Sequence, residues 1–192
     1  MDNLKVGFAI CGSFCTYEKM LSAMQAVKDR YGDLTPIMSE NSASTDTRFG
    51  TADHFISEVE RICGKKILST IEAVEYIGPE NALDILVIAP CTGNTLAKIA
   101  HSITDTAVTM ACKAHLRNNR PVVIAISTND GLSGNASNLG LLLNRKNFYF
   151  VPFCQDDAEK KPFSLVADLD KLCETLDLAL KGRQLQPILC VK

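Results

Sequence analysis

The residues Ala89-Pro90-Cys91-Thr92-Gly93-Asn94-Thr95 decide the fold, because an apolar run becomes a short polar loop and then a helix at this point. Residues 83–89 before it are mostly apolar, which is typical of a parallel strand buried on both faces. Residues 96–100 after it resemble the first turns of a helix, and Thr95 is the expected N-cap. In open α/β sheets, ligands bind where strand carboxyl ends meet helix N-termini. The stretch therefore predicts a binding site at a strand-to-helix junction.

Strand-like runs alternate with helix-like runs along the whole chain. This alternation predicts an α/β fold, specifically a flavodoxin-like three-layer sandwich with a parallel sheet of five to six strands and helices on both faces. The expected strand order is 2-1-3-4-5. The predicted strands are 5–10, 35–38, 85–89, 122–127 and 148–153, and the predicted helices are 17–27 closed by Gly32, 52–63, 95–102, 107–118, 139–145 and 165–181 closed by Gly182.

The connections are short except in two places. Residues 39–50 form a polar stretch too long for an ordinary strand-to-helix connection, and such stretches are usually functional or mobile. Residues 156–162 form a charged connector before the last helix. A chain of 192 residues suits one domain. We therefore expect a single domain over 1–192, with 183–192 as its C-terminal tail.

The composition excludes several classes of protein. The net charge is −2 and the basic residues are dispersed, which argues against a nucleic-acid partner. No apolar run approaches a membrane span and no signal peptide begins the chain, so we expect a cytoplasmic protein without a membrane partner. Eight cysteines are scattered without C-x-x-C spacing, so neither a disulfide framework nor a metal site is expected. Cys15 and Cys91 differ from the others because they lie in proposed ligand loops.

Four loops that follow strands are rich in small hydroxyl and amide residues. They are residues 11–16, 39–50, 90–95 and 127–131. The first three are expected to meet over one crevice, and the fourth to cover its other end. Neither G-x-G-x-x-G nor a P-loop is present, so a mononucleotide, FMN, fits better than a dinucleotide. Its candidate ligands are Gly12, Ser13, Ser39, Thr92, Gly93, Asn94, Thr95 and Ser127. The alternative is that these hydroxyls only cap helices.

Candidate residues for the chemistry are few. Arg48 is the best candidate for a substrate carboxylate, because its planar fork pairs two oxygens at once. Asn129 is a second candidate substrate ligand. Arg117 and Arg120 are further candidates for a substrate carboxylate, although both precede a strand, which favours the opposite end of the sheet. Among the histidines only His54 lies close to a site loop. No Ser-His-Asp or Cys-His arrangement follows from the spacing, so the catalytic residue is left open.

The sequence resembles the flavoprotein superfamily of cysteine decarboxylases and flavin prenyltransferases, and within it the B subunits of dipicolinate synthases from spore-forming bacteria. The wider resemblance is carried by Gly12-Ser13, 89–100 and Asp105, and the closer one by 15–18, 44–50, 117–123, 126–130, 152–157 and 184–189. The resemblance implies an FMN-binding flavodoxin-like sheet and a homo-oligomer. It also implies a small dicarboxylate substrate, dihydrodipicolinate, and oxidation to dipicolinate in the mother cell during sporulation. The implied partner is an A subunit, which would carry the NAD(P).

The sequence departs from the wider superfamily at two positions. Tyr76 occupies the place of the catalytic histidine of the cysteine decarboxylases, which makes it a further candidate catalytic residue. Ile126-Ser127-Thr128-Asn129 replaces their P-x-M-N substrate clamp. Both departures argue against cysteine decarboxylation. The alternatives are a flavin-dependent decarboxylase or prenyltransferase, and a non-catalytic subunit that stabilises its partner.

Overall fold

A seven-stranded sheet organises residues 4–190, the part of the chain that the computed structural model describes. Its strands are β1 Lys5–Ile10, β2 Asp33–Met38, β3 Ile85–Cys91, β4 Val122–Thr128, β5 Phe148–Phe150, β6 Phe153–Asp157 and β7 Lys161–Ala167. They lie in the order β2-β1-β3-β4-β7-β6, and β5 pairs with the first half of β4.

The parallel part of the sheet confirms the predicted order. Strands β2, β1, β3, β4 and β5 pair in parallel, and β3 is buried along its whole length. The prediction of one strand over 148–153 is wrong, because β5 ends at Phe150 and a separate strand, β6, begins at Phe153. Pro152 lies between them, and proline cannot donate a ladder hydrogen bond.

The antiparallel hairpin β6–β7 was not predicted. The charged connector 156–162 lies partly in its strands and turn, and the predicted helix over 165–181 begins only at Leu172. Ser127 and Thr128 at the end of β4 pair with Val166 and Leu165 of β7. This tertiary pairing overrides the helical pattern of residues 165–168, since local propensity is weak against packing.

Two helical layers enclose the sheet. The helices are α1 Tyr17–Tyr31, α2 Glu40–Ser44, α3 Ala52–Cys63, α4 Ile71–Val74, α5 Gly93–Ala100, α6 Ala107–Leu116, α7 Ala136–Leu143 and α8 Leu172–Ala179, with short 3-10 turns at Phe14–Thr16, Glu75–Ile77 and Leu169–Lys171. Helix α1 contacts α3 and α8 in one layer, while α6 contacts α4 and α5, and α5 contacts α7, in the other. Gly32, with φ 82°, ends α1 as predicted. No helix of residues 4–190 has the length and apolar character to cross a bilayer.

The predicted tail packs against the sheet. The Gln184 side chain hydrogen-bonds the backbone N–H and C=O of Phe150, and Leu185 is buried. Leu189 forms a parallel bridge with Phe153, which places the segment along the free edge of β6. The start of the edge strand is therefore covered rather than open to pairing with another chain.

Candidate functional site

A cleft of about 1470 Å³ lies where β1, β3 and β4 end. One part of it, here called the strand-end part, is formed by Ser13, Thr92–Asn94 and Ser127–Asp130. The other, the hairpin part, is formed by Cys154, Asp156, Lys161, residues 164–170 and Cys190. Helix α1, from Lys19 to Ala26, and the first two residues of α8 complete the walls. The predicted convergence of strand-end loops is therefore present for three of the four loops.

The loop after β1 is fixed to the loop after β4. Ser13 adopts a left-handed conformation with φ 62° and donates its hydroxyl to the Ser127 carbonyl at 2.7 Å. The backbone N–H and hydroxyl of Thr16 donate to the Ser13 carbonyl at 2.9 and 2.8 Å. Left-handed backbone is costly for a residue other than glycine, so these bonds hold Ser13 at the cleft wall. Gly12 does not line the cleft, but a Cβ there would lie 3.1 Å from Thr92 Cγ2.

The loop after β3 presents the N-terminus of α5. Thr92 is the N-cap, and its hydroxyl accepts the Thr95 N–H at 3.3 Å. The prediction of Thr95 as N-cap is therefore wrong, because the helix already begins at Gly93. The first N–H groups of a helix have no intrahelical acceptor, so those of Gly93 and Asn94 are available to a ligand. Asn94 is exposed, whereas Thr95 is buried beneath the helix start and supports the loop.

A chain of polar side chains holds the loop after β4. The Thr128 hydroxyl donates to Asp130 Oδ1 at 2.5 Å, and Asn135 Nδ2 donates to Asp130 Oδ2 at 2.7 Å. Asn138 Nδ2 donates to Asn135 Oδ1 at 2.8 Å, and Asn138 Oδ1 lies 3.0 Å from His101 Nε2. A carboxylate only accepts, so both neighbours of Asp130 direct a hydrogen toward it. We call these five residues the Asp130 network.

Gly93 packs directly on the Asp130 network. A Cβ at this position would lie 2.5 Å from Asn135 Nδ2, 2.6 Å from Thr128 Oγ1 and 2.7 Å from Asp130 Oδ1. Real Cβ atoms essentially never come this close to another heavy atom. The absence of a side chain at Gly93 therefore allows α5 and the loop after β4 to form one wall.

Two buried thiols lie under the strand-end part. The Cys11 thiol donates to the Pro90 carbonyl at 3.1 Å and lies 3.5 Å from the Thr92 N–H. Its hydrogen bond with Cys91 is the main cause that lowers the pKa of Cys11 to about 7, although burial opposes this. The same contact and burial raise the pKa of Cys91 well above its ordinary value. Cys91 is fully buried, whereas Cys15 is exposed in the cleft wall.

The long loop after β2 does not line the cleft, contrary to the prediction that it meets the first and third loops there. Ser39 caps α2, where its hydroxyl lies 2.9 Å from that of Ser42. Glu40 Oε1 accepts the Ala107 N–H at 3.1 Å and so draws α2 toward the N-terminus of α6. Ser39 therefore has a local structural role, and its flavin contact stays a prediction.

The other candidate residues are dispersed. The Arg48 guanidinium is exposed and lies 4.8 Å from the centre of the Phe49 ring, outside the cleft. His54 is exposed at the start of α3, and Tyr76 lies in a 3-10 turn before β3. Arg120 binds the Leu83 carbonyl and Asp84 Oδ1 at the amino end of β3, and Arg117 follows α6. Of the predicted substrate ligands, only Asn129 lies in the cleft.

Several cleft residues were missed. Lys19 lines the cleft from the first turn of α1, yet it looks like an ordinary solvent-facing lysine in the sequence. Lys161 also lines it and pairs with Asp156 at 2.5 Å. Asp130 stands next to Asn129, so its loop was identified, but the buried Asn135 and Asn138 of the Asp130 network were not. Within residues 4–190, no group of three or more His, Cys, Asp or Glu side chains is placed to hold a metal ion.

Comparison with known proteins assigns the family. The Flavoprotein family profile matches residues 1–155, which include every loop of the strand-end part. The chain belongs to the Flavoprotein family. The family supports a flavin-related role for the protein, and the predicted superfamily is thereby confirmed.

Two relatives match this flavoprotein over nearly its whole length. The B subunit of dipicolinate synthase from Bacillus subtilis strain 168 is 44% identical over 192 residues, which covers 98% of this chain and 96% of the relative. The crystal structure of the corresponding B subunit from Bacillus halodurans C is 42% identical, with a TM-score of 0.91 and complete coverage of both chains. The predicted resemblance to these B subunits is confirmed.

A more distant neighbour shows how widely the fold is used. A dodecameric FMN-dependent UbiX-like decarboxylase from Escherichia coli O157:H7 has a TM-score of 0.63 and 19% identity, covering 78% of this flavoprotein and 80% of that chain. At this identity the likeness concerns the fold alone. It confirms the flavodoxin-like α/β class, with the hairpin β6–β7 added to the predicted parallel sheet.

Proposed function

We propose that the chain is the B subunit of a dipicolinate synthase and acts with an A subunit to oxidise dihydrodipicolinate to pyridine-2,6-dicarboxylate. The observation that carries this proposal is the identity of 42–44% to two such B subunits over nearly the whole chain. This similarity includes β7, α8 and the tail, which lie outside the Flavoprotein match. The proposed setting is the mother-cell cytoplasm of a spore-forming bacterium, and the proposed assembly includes further copies of the chain.

The residues of the strand-end part fit FMN. Hydroxyl and amide groups, together with free N–H groups at the start of α5, suit a phosphate or the polar edge of the flavin ring. Leu165, Val166 and Leu172 add apolar surface for the ring face. The residues proposed to hold the flavin directly are Ser13, Thr92, Gly93, Asn94 and Ser127. When bound, FMN would supply a hydride acceptor.

The substrate would occupy the adjoining region of the cleft. Oxidation removes a hydride and a proton from the dihydropyridine ring and leaves an aromatic pyridine. Lys19 and Asn129 line the cleft and are proposed to bind the two carboxylates, because an ammonium and an amide both donate to carboxylate oxygens. We assign the nicotinamide cofactor to the A subunit. The proton acceptor is not assigned to any residue.

Flavin titration tests the cofactor site. We expect FMN fluorescence to be quenched by the native chain, and Asn94→Ala to weaken binding about tenfold, since a lost hydrogen bond costs about 1 kcal/mol or more. Asn144→Ala is the matched control, because Asn144 is exposed at the end of α7 and outside the cleft. Equal quenching by Asn94→Ala and the native chain would remove Asn94 from the site. Absence of quenching by the native chain would reject flavin binding.

Reconstitution with the A subunit tests the reaction. We expect dipicolinate, measured by chromatography, to form only when both subunits are present. Because Lys19 lies in the cleft, Lys19→Gln should raise KM for dihydrodipicolinate about tenfold, as loss of a charged hydrogen bond costs about 1.5–3 kcal/mol. Equal product from the A subunit alone would favour a stabilising role for this chain.

Arg48→Ala in the same assay tests whether Arg48, the other predicted ligand, binds a substrate carboxylate. The exposed position of Arg48 outside the cleft leads us to expect unchanged KM. A selective rise in KM with Arg48→Ala, together with native behaviour of Lys19→Gln, would instead place the substrate at the loop after β2. Decarboxylation of a cysteinyl substrate by the chain alone would overturn the proposed oxidation and would identify the protein as a cysteine decarboxylase.

A further inference from the structure

The end of the described chain forms a short parallel pairing with β6. The Phe153 N–H donates to the Ile188 carbonyl at 3.0 Å, and the Cys190 N–H donates to the Phe153 carbonyl at 3.0 Å. These two bonds pair Phe153 with Leu189 in a parallel bridge. The next residue of each strand is a cysteine. Cys154 therefore lies beside Cys190 in register, on the same face of the pairing.

The spacing of the two strands suits a disulfide. Adjacent strands lie about 4.7–4.9 Å apart, which is within the range of about 4.4–6.8 Å found between the Cα atoms of bonded cysteines. Burial, followed by the neighbouring Cys154 thiol, raises the pKa of Cys190. Both residues are half-buried and line the hairpin part of the cleft, so a small reagent can reach them.

The remaining cysteines do not share this arrangement. Cys11, Cys63, Cys91 and Cys112 are buried in the core. Cys15 and Cys173 also line the cleft, but neither belongs to a described strand pairing that would place another cysteine opposite it. Formation of a disulfide within the chain should therefore be selective for Cys154 and Cys190.

We propose that Cys154 and Cys190 are a reversible dithiol–disulfide site at the hairpin part of the cleft, oxidised by low-molecular-weight disulfides. One thiolate attacks the small disulfide and releases one small thiol, leaving a mixed disulfide on the protein. The other cysteine then attacks the bonded protein sulfur and releases the second small thiol. The protein loses two electrons and two protons, and the small disulfide is reduced to two thiols.

The bond would fix the C-terminal segment at the cleft wall. In the reduced protein that segment is held beside β6 by the two backbone bonds to Phe153 and by the buried Leu185. A covalent link between Cys154 and Cys190 would prevent the segment from separating from β6. The site is independent of the proposed reaction, because it requires neither flavin nor the A subunit.

Thiol counting and peptide mapping of the full chain test this site. After incubation with oxidised glutathione and alkylation, we expect Cys154 and Cys190 to carry neither the alkyl group nor glutathione, because they are joined to each other. Trypsin should then release peptides 147–160 and 184–192 joined by a disulfide, and dithiothreitol should separate them. Cys173→Ser should still form the link, whereas Cys154→Ser and Cys190→Ser should carry a glutathione adduct on the remaining cysteine.

Two results would overturn the proposal. One is retention of all eight free thiols under conditions that oxidise a surface dithiol in a reference protein. The other is that Cys154 and Cys190 each carry a separate glutathione adduct, or that either forms a disulfide with Cys15 or Cys173. Peptide mapping of the native chain shows whether Cys154 and Cys190 are joined even if a serine variant fails to fold.

Discussion

Gly93→Ala is expected to destabilise the protein by about 3 kcal/mol and to weaken FMN binding at least tenfold. The new Cβ would lie 2.5–2.7 Å from three polar atoms of the Asp130 network. Overpacking costs about 1–3 kcal/mol, and each buried hydrogen bond that the displacement breaks costs about 1–3 kcal/mol more. Urea unfolding measures the loss of stability, and fluorescence titration measures the flavin affinity.

Gly140→Ala is the matched control for this substitution. Gly140 is exposed within α7, and nothing lies within 4 Å of a Cβ built there. Alanine is favoured over glycine inside helices, so this variant should gain about 0.5–1 kcal/mol and bind flavin normally. If Gly93→Ala behaved like Gly140→Ala in both assays, the contact between α5 and the Asp130 network would not support the site.

Acidification from pH 6.5 to pH 4 is expected to remove about 3 kcal/mol of stability through His115 alone. This side chain is fully buried, with Nε2 3.0 Å from the Pro121 carbonyl and, among the described residues, no partner for Nδ1. Burial lowers the pKa of His115 from 6.5 to about 4. The unfolded chain therefore takes up a proton below pH 6.5, whereas the folded chain takes it up only near pH 4. Stability falls as the pH falls through this window.

His115→Gln provides the control for the pH effect, because its amide can still donate to the Pro121 carbonyl but does not titrate. Urea unfolding at half-unit intervals should show a slope of about 1.4 kcal/mol per pH unit for the native chain between pH 6 and 5, and a much smaller slope for the variant. The lowered pKa values of Glu58, Glu60 and Asp105 affect stability at lower pH, as their ordinary values lie at or below 4.5. Equal slopes for both proteins would contradict a buried neutral His115.

The parallel sheet could be predicted because its strands are buried on both faces and alternate with amphipathic helices. The whole of β3 is apolar and buried, so its position depends little on distant contacts. The hairpin β6–β7 could not be predicted in this way. Its strands are partly exposed and partly charged, and β7 pairs with Ser127 and Thr128 at the end of β4. The sequence of one chain does not show that the end of β4 is free to pair with another strand.

The site residues that lie in loops at strand ends could be predicted from the sequence. Ser13, Asn94 and Ser127 belong to loops whose location is set by the strand order, and all three line the cleft. Ser39 follows a strand as well, but Glu40 draws the next helix toward α6, which local sequence does not reveal. Lys19 lines the cleft but was not predicted, because a lysine on a helix surface has no distinctive sequence pattern.

A crystal structure of the chain grown with saturating FMN would show where the flavin binds. We expect flavin density in the strand-end part of the cleft, in contact with Ser13, Asn94 and Ser127. Flavin bound elsewhere on the chain, or a strand-end part closed by the protein's own side chains, would contradict it.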